Sequence, residues 1–267
     1  MSLGTVASNG EVRLAYDVRG AGPTLLLVHG LGYARWGWEP VVDALAGRFS
    51  IVSFDNRGVG ESDVPPGPYT ARAMAEDAVA VLDDAGLDRA HVLGTSLGGM
   101  VAQEVALGWP ARVDRLVLAC TTPGGPDAYP MPQQTVVLLA RAMLMPRDRA
   151  LRLLVENALA PGPGRSELVE RILAHRLRSP LDLGGWQAQA AAGVTFDALG
   201  RLGAISAPTL VLHGTADVVV DVRNAGLLAE RIPQARVELF PGGGHLFFWE
   251  DPDRFVRLVG EFLSEES

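Results

Sequence analysis

Short, nearly continuous apolar runs alternate along most of the chain with longer stretches of helical pattern. The opening differs: Thr5 to Ser8 and Glu11 to Val18 flank Asn9-Gly10, a dipeptide that tolerates the positive φ angles of a tight turn, and this predicts a hairpin. Thr24 to Val28 then reads as a strand buried on both faces, delivering the Gly-rich loop His29-Gly30-Leu31-Gly32. The alternation continues with a helix over Trp36 to Ala46, strand Ser50 to Phe54, helix Thr70 to Ala85, strand His91 to Gly94, helix Leu97 to Leu107 and strand Arg115 to Ala119. Strands alternating with helices of about twelve residues imply crossover units, a parallel sheet and an α/β fold.

From Pro123 to Ala204 the rhythm breaks. Helical patterns at Gln133 to Met145, Asp148 to Ala160, Arg165 to Leu177 and Leu183 to Ala198 follow one another without a strand, punctuated by Pro-Gly turns at 123–126 and 161–164. This is an insertion of residues 123–204 between two parts of one core, 1–122 and 205–267. The α/β rhythm resumes with strand Thr209 to His213, a helix near Asp221 to Arg231, strand Arg236 to Phe240 and a closing helix Pro252 to Leu263.

Composition narrows the chemistry. A chain of 267 residues, 48% hydrophobic, buries a core large enough to fold without a metal or disulfide staple. There is no lysine, which excludes a phosphate-loop lysine and Schiff-base chemistry on the protein. The single cysteine, Cys120, permits no internal disulfide or cysteine-rich zinc site. A net charge of −8 without a basic stripe argues against nucleic acid. No apolar run is long enough to span a membrane, and Met1 to Tyr16 lacks a secretory pattern, so the expected location is the cytoplasm. No cofactor and no metal are expected.

Strand His91 to Gly94 runs into Gly94-Thr95-Ser96-Leu97-Gly98-Gly99 and then a helix. Glycine is abundant here, so the bare pattern says little; the strand, sharp turn and helix around it are what a nucleophile elbow requires, with Ser96 as nucleophile. A serine hydroxyl needs a base, and the base an orienting acid. His245, in the glycine-rich and apparently flexible loop after the last strand, is the expected base; His29, His91, His175 and His213 read as structural or solvated. Asp217, in the loop after strand Thr209 to His213, is the expected acid, with Asp221 as a rival better suited to capping a helix. The backbone N–H groups of Leu97 and Leu31 are placed to hold an oxyanion.

In these segments, and in Phe54 to Ser62, Pro208 to Asp217 and Gly244-His245, the chain resembles the α/β-hydrolase-fold serine hydrolases, with nucleophile, acid and base in that family's order. The resemblance implies a mostly parallel central sheet with helices on both faces, residues 123–204 as a helical cap, and Asp55-Asn56-Arg57 as a support beside the oxyanion loop. It is similar to the branch of 3-oxoadipate enol-lactonases, aryl and carboxyl esterases and cofactor-free haloperoxidases or perhydrolases. Epoxide hydrolases and haloalkane dehalogenases of the family carry Asp where this chain has Ser96, which disfavours those activities.

The expected function is therefore cleavage of a small-molecule carboxylic ester or lactone through an acyl-enzyme. Carbon–carbon bond hydrolysis or perhydrolysis on the same triad, and a slow ligand receptor on the same fold, are the rivals; homo-oligomeric assembly stays open. The apolar run Val136, Val137, Leu138, Leu139, Met143, Leu144 and Met145 suggests a greasy pocket, for which Val137, Leu138, Met143, Trp186 and Leu246 are the candidates. An acidic lactone would instead call for an arginine, with Arg35 and Arg141 the ones within reach.

Overall fold

The computed structural model of the chain describes residues 5–179 and 182–265; the first four residues of the segment read for a secretory signal lie outside it. In chain order the elements are β1 (Thr5–Asn9), β2 (Val12–Arg19), β3 (Thr24–Val28), α1 (Glu39–Ala46), β4 (Ser50–Phe54), α2 (Ala71–Asp84), β5 (Ala90–Thr95), α3 (Leu97–Gly108) and β6 (Val113–Ala119). They continue with α4 (Gln133–Ala142), α5 (Arg147–Ala158), α6 (Arg165–Arg178), α7 (Leu183–Val194), β7 (Thr209–Gly214), α8 (Arg223–Arg231), β8 (Ala235–Phe240), α9 (Phe247–Glu250) and α10 (Pro252–Leu263). The expected hairpin is present, with Asn9 opposite Val12.

One sheet of eight strands runs β1-β2-β4-β3-β5-β6-β7-β8, antiparallel through β1, β2 and β4 and parallel from β4 to β8. Alternate residues of each inner strand feed two separate cores. Leu26, Val28, Val92, Leu116, Leu118 and Val211 pack with α2, α3 and α8, while Leu25, Leu27, Leu93, Val117, Leu210 and Leu212 pack with α1 and α10. Burial on both faces is why these strands are apolar throughout rather than alternating. Among the described residues, no helix is long and apolar enough to cross a membrane.

The register brings the carboxyl ends of the inner strands level: Val28 lies beside Gly94, Thr95 beside Ala119, and Ala119 beside Leu212. Chain order reverses around β3, which lies between β4 and β5, and it is at the strand ends beside such a reversal that open α/β sheets build their sites.

Helices α4 to α7 stand between β6 and β7 in the chain, and α4, α5 and α7 stop short of the ends the pattern suggested, α5 by two residues. The α4 helix stops at Ala142, four residues ahead of Pro146, whose ring disfavours a helical conformation in the residue before it. The α7 helix stops at Val194 because Phe196 turns into the core and Asp197 bridges Gly124. The one-turn helix α9 was not foreseen: Phe247, Phe248 and Trp249 are all buried, so it shows no polar face and no periodicity.

A buried ion pair ties the loop after β4 to α2. Arg57 Nε and Nη2 lie 2.5 and 2.6 Å from the Asp77 carboxylate, which is fully buried and also accepts from Asn9 Nδ2 at 2.9 Å. Removing the guanidinium strands that charge, so Arg57→Met is expected to lower unfolding stability by about 3–5 kcal/mol, whereas the double variant Arg57→Met/Asp77→Leu recovers much of the loss. Denaturant titration of the three proteins checks this; equal losses in the single and double variants would contradict it.

Candidate active site

Ser96 joins β5 to α3 with φ 54° and ψ −120°, a conformation few residues other than glycine adopt. Its neighbours hold it there. The Ser96 N–H donates to Ala119 O at 2.9 Å, and its carbonyl accepts from Gly99 N at 2.9 Å and Thr121 Oγ1 at 2.8 Å. Glycine is required on both sides: a Cβ on Gly98 would collide with the Val28 and His29 carbonyls, and one on Gly94 with the Gly98 carbonyl. Such strain costs about 1–3 kcal/mol and persists only where the surroundings over-determine it.

His245 and Asp217 meet across the loops after β8 and β7, with Nδ1 2.8 Å from Oδ2. Oδ1 of Asp217 accepts from Val219 N at 2.7 Å and Val220 N at 3.0 Å. Burial alone would raise the Asp217 pKa, but the imidazoles of His245 and His213 outweigh it and hold the group well below the usual carboxylate range. The carboxylate fixes Nδ1 of His245 as the donor and leaves Nε2 to handle a proton. Among the described residues, Ser96 Oγ makes no hydrogen bond to His245 Nε2; this contact is often long before substrate binds. Asp221 is engaged elsewhere, accepting from Arg223 N at 3.0 Å and pairing with its guanidinium at 2.6 Å, while the cap position of α8 falls on Val222.

His213 has the structural role expected of it: its Nε2 lies 3.1 Å from Asp217 Oδ2 and 3.1 Å from Val220 O in the loop after β7. One reading needs correction. The loop bearing His245 is pinned rather than flexible: Glu250 accepts from Gly244 N at 2.8 Å and from Ala160 N at 2.6 Å, and Leu246 N donates to Ala158 O at 2.9 Å. The anchors come from α9 and the end of α5, which local glycine content does not report.

The loop after β3 approaches Ser96 closely; a Cβ on Gly30 would sit 3.0 Å from Ser96 Cβ. His29 Nδ1 accepts from Gly30 N at 2.7 Å, and its ring stacks on Tyr33 at 4.7 Å. Asn56 Nδ2 donates to His29 O at 3.0 Å, while Asp55 accepts from Arg35 N and Glu61 N at 2.7 and 2.9 Å, the supporting role expected of this segment. Among the described residues, neither Leu31 N–H nor Leu97 N–H donates to a protein acceptor.

The pocket candidates divide. Val137 on α4 and Met143 just past its end are 41% and 69% exposed, Leu138 on α4 is half-buried, and Leu246, next to His245, is buried. Trp186 packs on Gly32. Arg35 is engaged by Asp17, Asp55 and Glu61, and Arg141 is exposed. Arg176, not singled out from the sequence, is the arginine at the loop after β3, donating to Gly32 O at 3.2 Å with its guanidinium 3.9 Å from the Tyr33 ring centre. Among the described residues, no group of three or more His, Cys, Asp or Glu side chains is arranged to hold a metal ion.

The sequence profile of the alpha/beta hydrolase fold matches residues 23–252. A hydrolase from Pseudomonas aeruginosa PA01 is 33% identical and superposes with a TM-score of 0.85 over 98% of each chain. The enol-lactonase from Burkholderia xenovorans LB400 is 25% identical, with a TM-score of 0.86 over 98% of this chain and 100% of that one. The 2-hydroxy-6-oxo-6-phenylhexa-2,4-dienoate hydrolase of Comamonas testosteroni is 31% identical, over 94% of this chain and 91% of its own.

Complete burial pushes the His29 pKa down to about 3. Below about pH 6.5 the unfolded imidazole takes up a proton that the folded one refuses, so this group weakens the fold by up to about 1.4 kcal/mol per pH unit as pH falls from 6.5 toward 3. His29→Gln removes the titration while offering Gly30 N–H an acceptor. Its stability is expected to fall less steeply between pH 6.5 and 4.5; denaturation midpoints with parallel slopes would contradict the assignment.

Proposed function

Because the chain belongs to the α/β-hydrolase-fold family, we propose that it is a serine hydrolase cleaving carboxylic esters or lactones through an acyl-enzyme. The observation that carries the reading is the buried His245–Asp217 pair at 2.8 Å, beside a serine held at a positive φ over the same strand ends. In this mechanism Ser96 Oγ adds to the carbonyl carbon as His245 Nε2 accepts its proton. Asp217 stabilises the imidazolium, and the Leu31 and Leu97 N–H groups receive the developing oxyanion. Collapse returns the proton to the leaving alkoxide, which a lactone keeps tethered to the acyl group. Water then repeats the cycle on the acyl-enzyme.

Residues 123–204 act as the cap in this reading, with Val137, Leu138, Met143 and Trp186 contributing apolar surface to an acyl chain; Leu246, buried in the core, is not among them. The ion pairs that occupy Arg35 support an uncharged acyl group. A second reading, carbon–carbon bond hydrolysis with the same three side chains, draws on the named activity of the Comamonas relative.

Ser96→Ala is expected to fold normally and lose at least about 10⁴-fold in kcat on an activated ester, because triad members act as a unit. Multiple turnover by the wild type on an ester panel separates an enzyme from a receptor; a folded Ser96→Ala protein with full activity would falsify the nucleophile.

Asp217→Asn should cost on the order of 10⁴-fold in kcat through loss of imidazolium stabilisation and the correct tautomer, while Asp221→Asn stays near wild type. Reversed losses would move the acid to the later position.

Across neutral acyl esters, each additional buried methylene is expected to raise kcat/KM by up to about fourfold, equivalent to about 0.8 kcal/mol. A preference for an acidic lactone over every neutral ester would overturn the apolar reading.

A further inference from the structure

Gly30 to Tyr33 form a four-residue turn, closed by Tyr33 N–H donating to Gly30 O at 3.2 Å, with Gly32 at φ 69°. Leu31 is not among the positive-φ residues, so the turn is of type II. This geometry aims the proposed oxyanion donor. In a trans peptide the Leu31 N–H points opposite to Gly30 C=O, so turning that carbonyl toward Tyr33 turns the N–H away from the closing bond. The turn's middle peptide, Leu31–Gly32, must keep its type II orientation; a flip would convert the turn to another type and redirect its neighbours.

A side chain from the inserted helices holds that orientation: Gln189 on α7 accepts from Gly32 N, the N–H of the middle peptide, at 2.9 Å. Arg176 on α6 holds the following peptide, donating to Gly32 O at 3.2 Å. Gln189 is fully buried on a face otherwise made of Gly185, Ala188 and Ala192, where an amide is costly unless satisfied. Its Nε2 donates to Arg57 O at 2.7 Å, so one amide spans the loop after β3 and the loop after β4. The α7 helix is itself seated firmly: Gly185 touches the Gly58 backbone, and Ala188 O accepts from Tyr69 N at 3.2 Å.

We infer that Gln189 is a positioning residue for the oxyanion hole: the insertion sets the catalytic geometry of the core through the Gly32 peptide, in addition to covering the site. This inference rests on the serine-hydrolase reading. It demands that Gln189 act on the tetrahedral state rather than on ground-state binding, because the Leu31 N–H matters most when negative charge develops on the substrate oxygen.

The test compares Gln189→Met, which removes acceptor and donor at similar volume, with Gln189→Glu, which retains an acceptor for Gly32 N–H. Steady-state rates on an activated ester are normalised to folded protein, thermal midpoints are recorded, and inhibition is measured with an alkyl trifluoromethyl ketone. Addition of Ser96 Oγ to that ketone gives a hemiketal whose oxyanion occupies the same hole, its proton passing to His245. Gln189→Met is expected to lower kcat about tenfold or more with KM within about twofold, and to weaken the ketone by a similar factor, whereas Gln189→Glu keeps most of kcat. Unchanged kcat and ketone affinity in Gln189→Met, or equal losses in both variants that track their thermal midpoints, would overturn the inference. Ser96→Ala run alongside separates the failures: an inactive Ser96→Ala with an unaffected Gln189→Met defeats only the positioning role, and an active Ser96→Ala defeats both.

Discussion

The constraint on which the site depends is the close approach of the β5-to-α3 turn to the end of β3. Gly98 touches the Val28 and His29 carbonyls, and this contact, with the bond from Ser96 N–H to Ala119 O, fixes Ser96 in its left-handed conformation. A side chain at position 94 or 98 would push the helix away and release the strain. Because β3, β5 and β6 are locked in register below the turn, the apolar strands serve the site as well as the core: they set the height at which the serine, the Gly30 loop and the Asp217 loop emerge.

Electrostatics at the other side of the site follow the same economy. Asp217 is buried yet ionised because two imidazoles and two backbone N–H groups surround it, so no lone charge is left in the interior. Positive charge near the mouth is handled differently. Arg35 is neutralised by three carboxylates, and Arg57 is used up on Asp77, which leaves their backbone atoms to support the loops. Arg176 alone among these faces the oxyanion loop directly, through the Gly32 carbonyl and the Tyr33 ring.

The inserted helices are bound to the core at the loops after β3, β7 and β8 rather than resting above them. Gln189 and Trp186 engage the β3 loop, Thr135 donates to Val218 O beside Asp217, and Ala158 and Ala160 meet the His245 loop. Changes in the insertion therefore reach the loops that carry Gly30, Asp217 and His245.

The α/β class and the strand and helix succession were legible in the sequence, and Ser96, Asp217 and His245 could be singled out there as candidates, because each leaves a local signature: a two-faced apolar run, a glycine pair around a serine, a histidine or aspartate just past a strand. The pairing of His245 with Asp217 rather than Asp221 was favoured by loop position, but deciding it required the fold, since Asp221 has its own partner two residues away in Arg223. His213, Glu250, Arg176 and Gln189 left no such signature. Each acts on a residue brought near by packing, from four positions away for His213 to 157 for Gln189, and through one imidazole, one carboxylate, one guanidinium or one amide that carries no periodicity. Sequence pattern records what a segment buries; which buried polar group meets which backbone atom is settled only when the helices of the insertion dock on the strand ends.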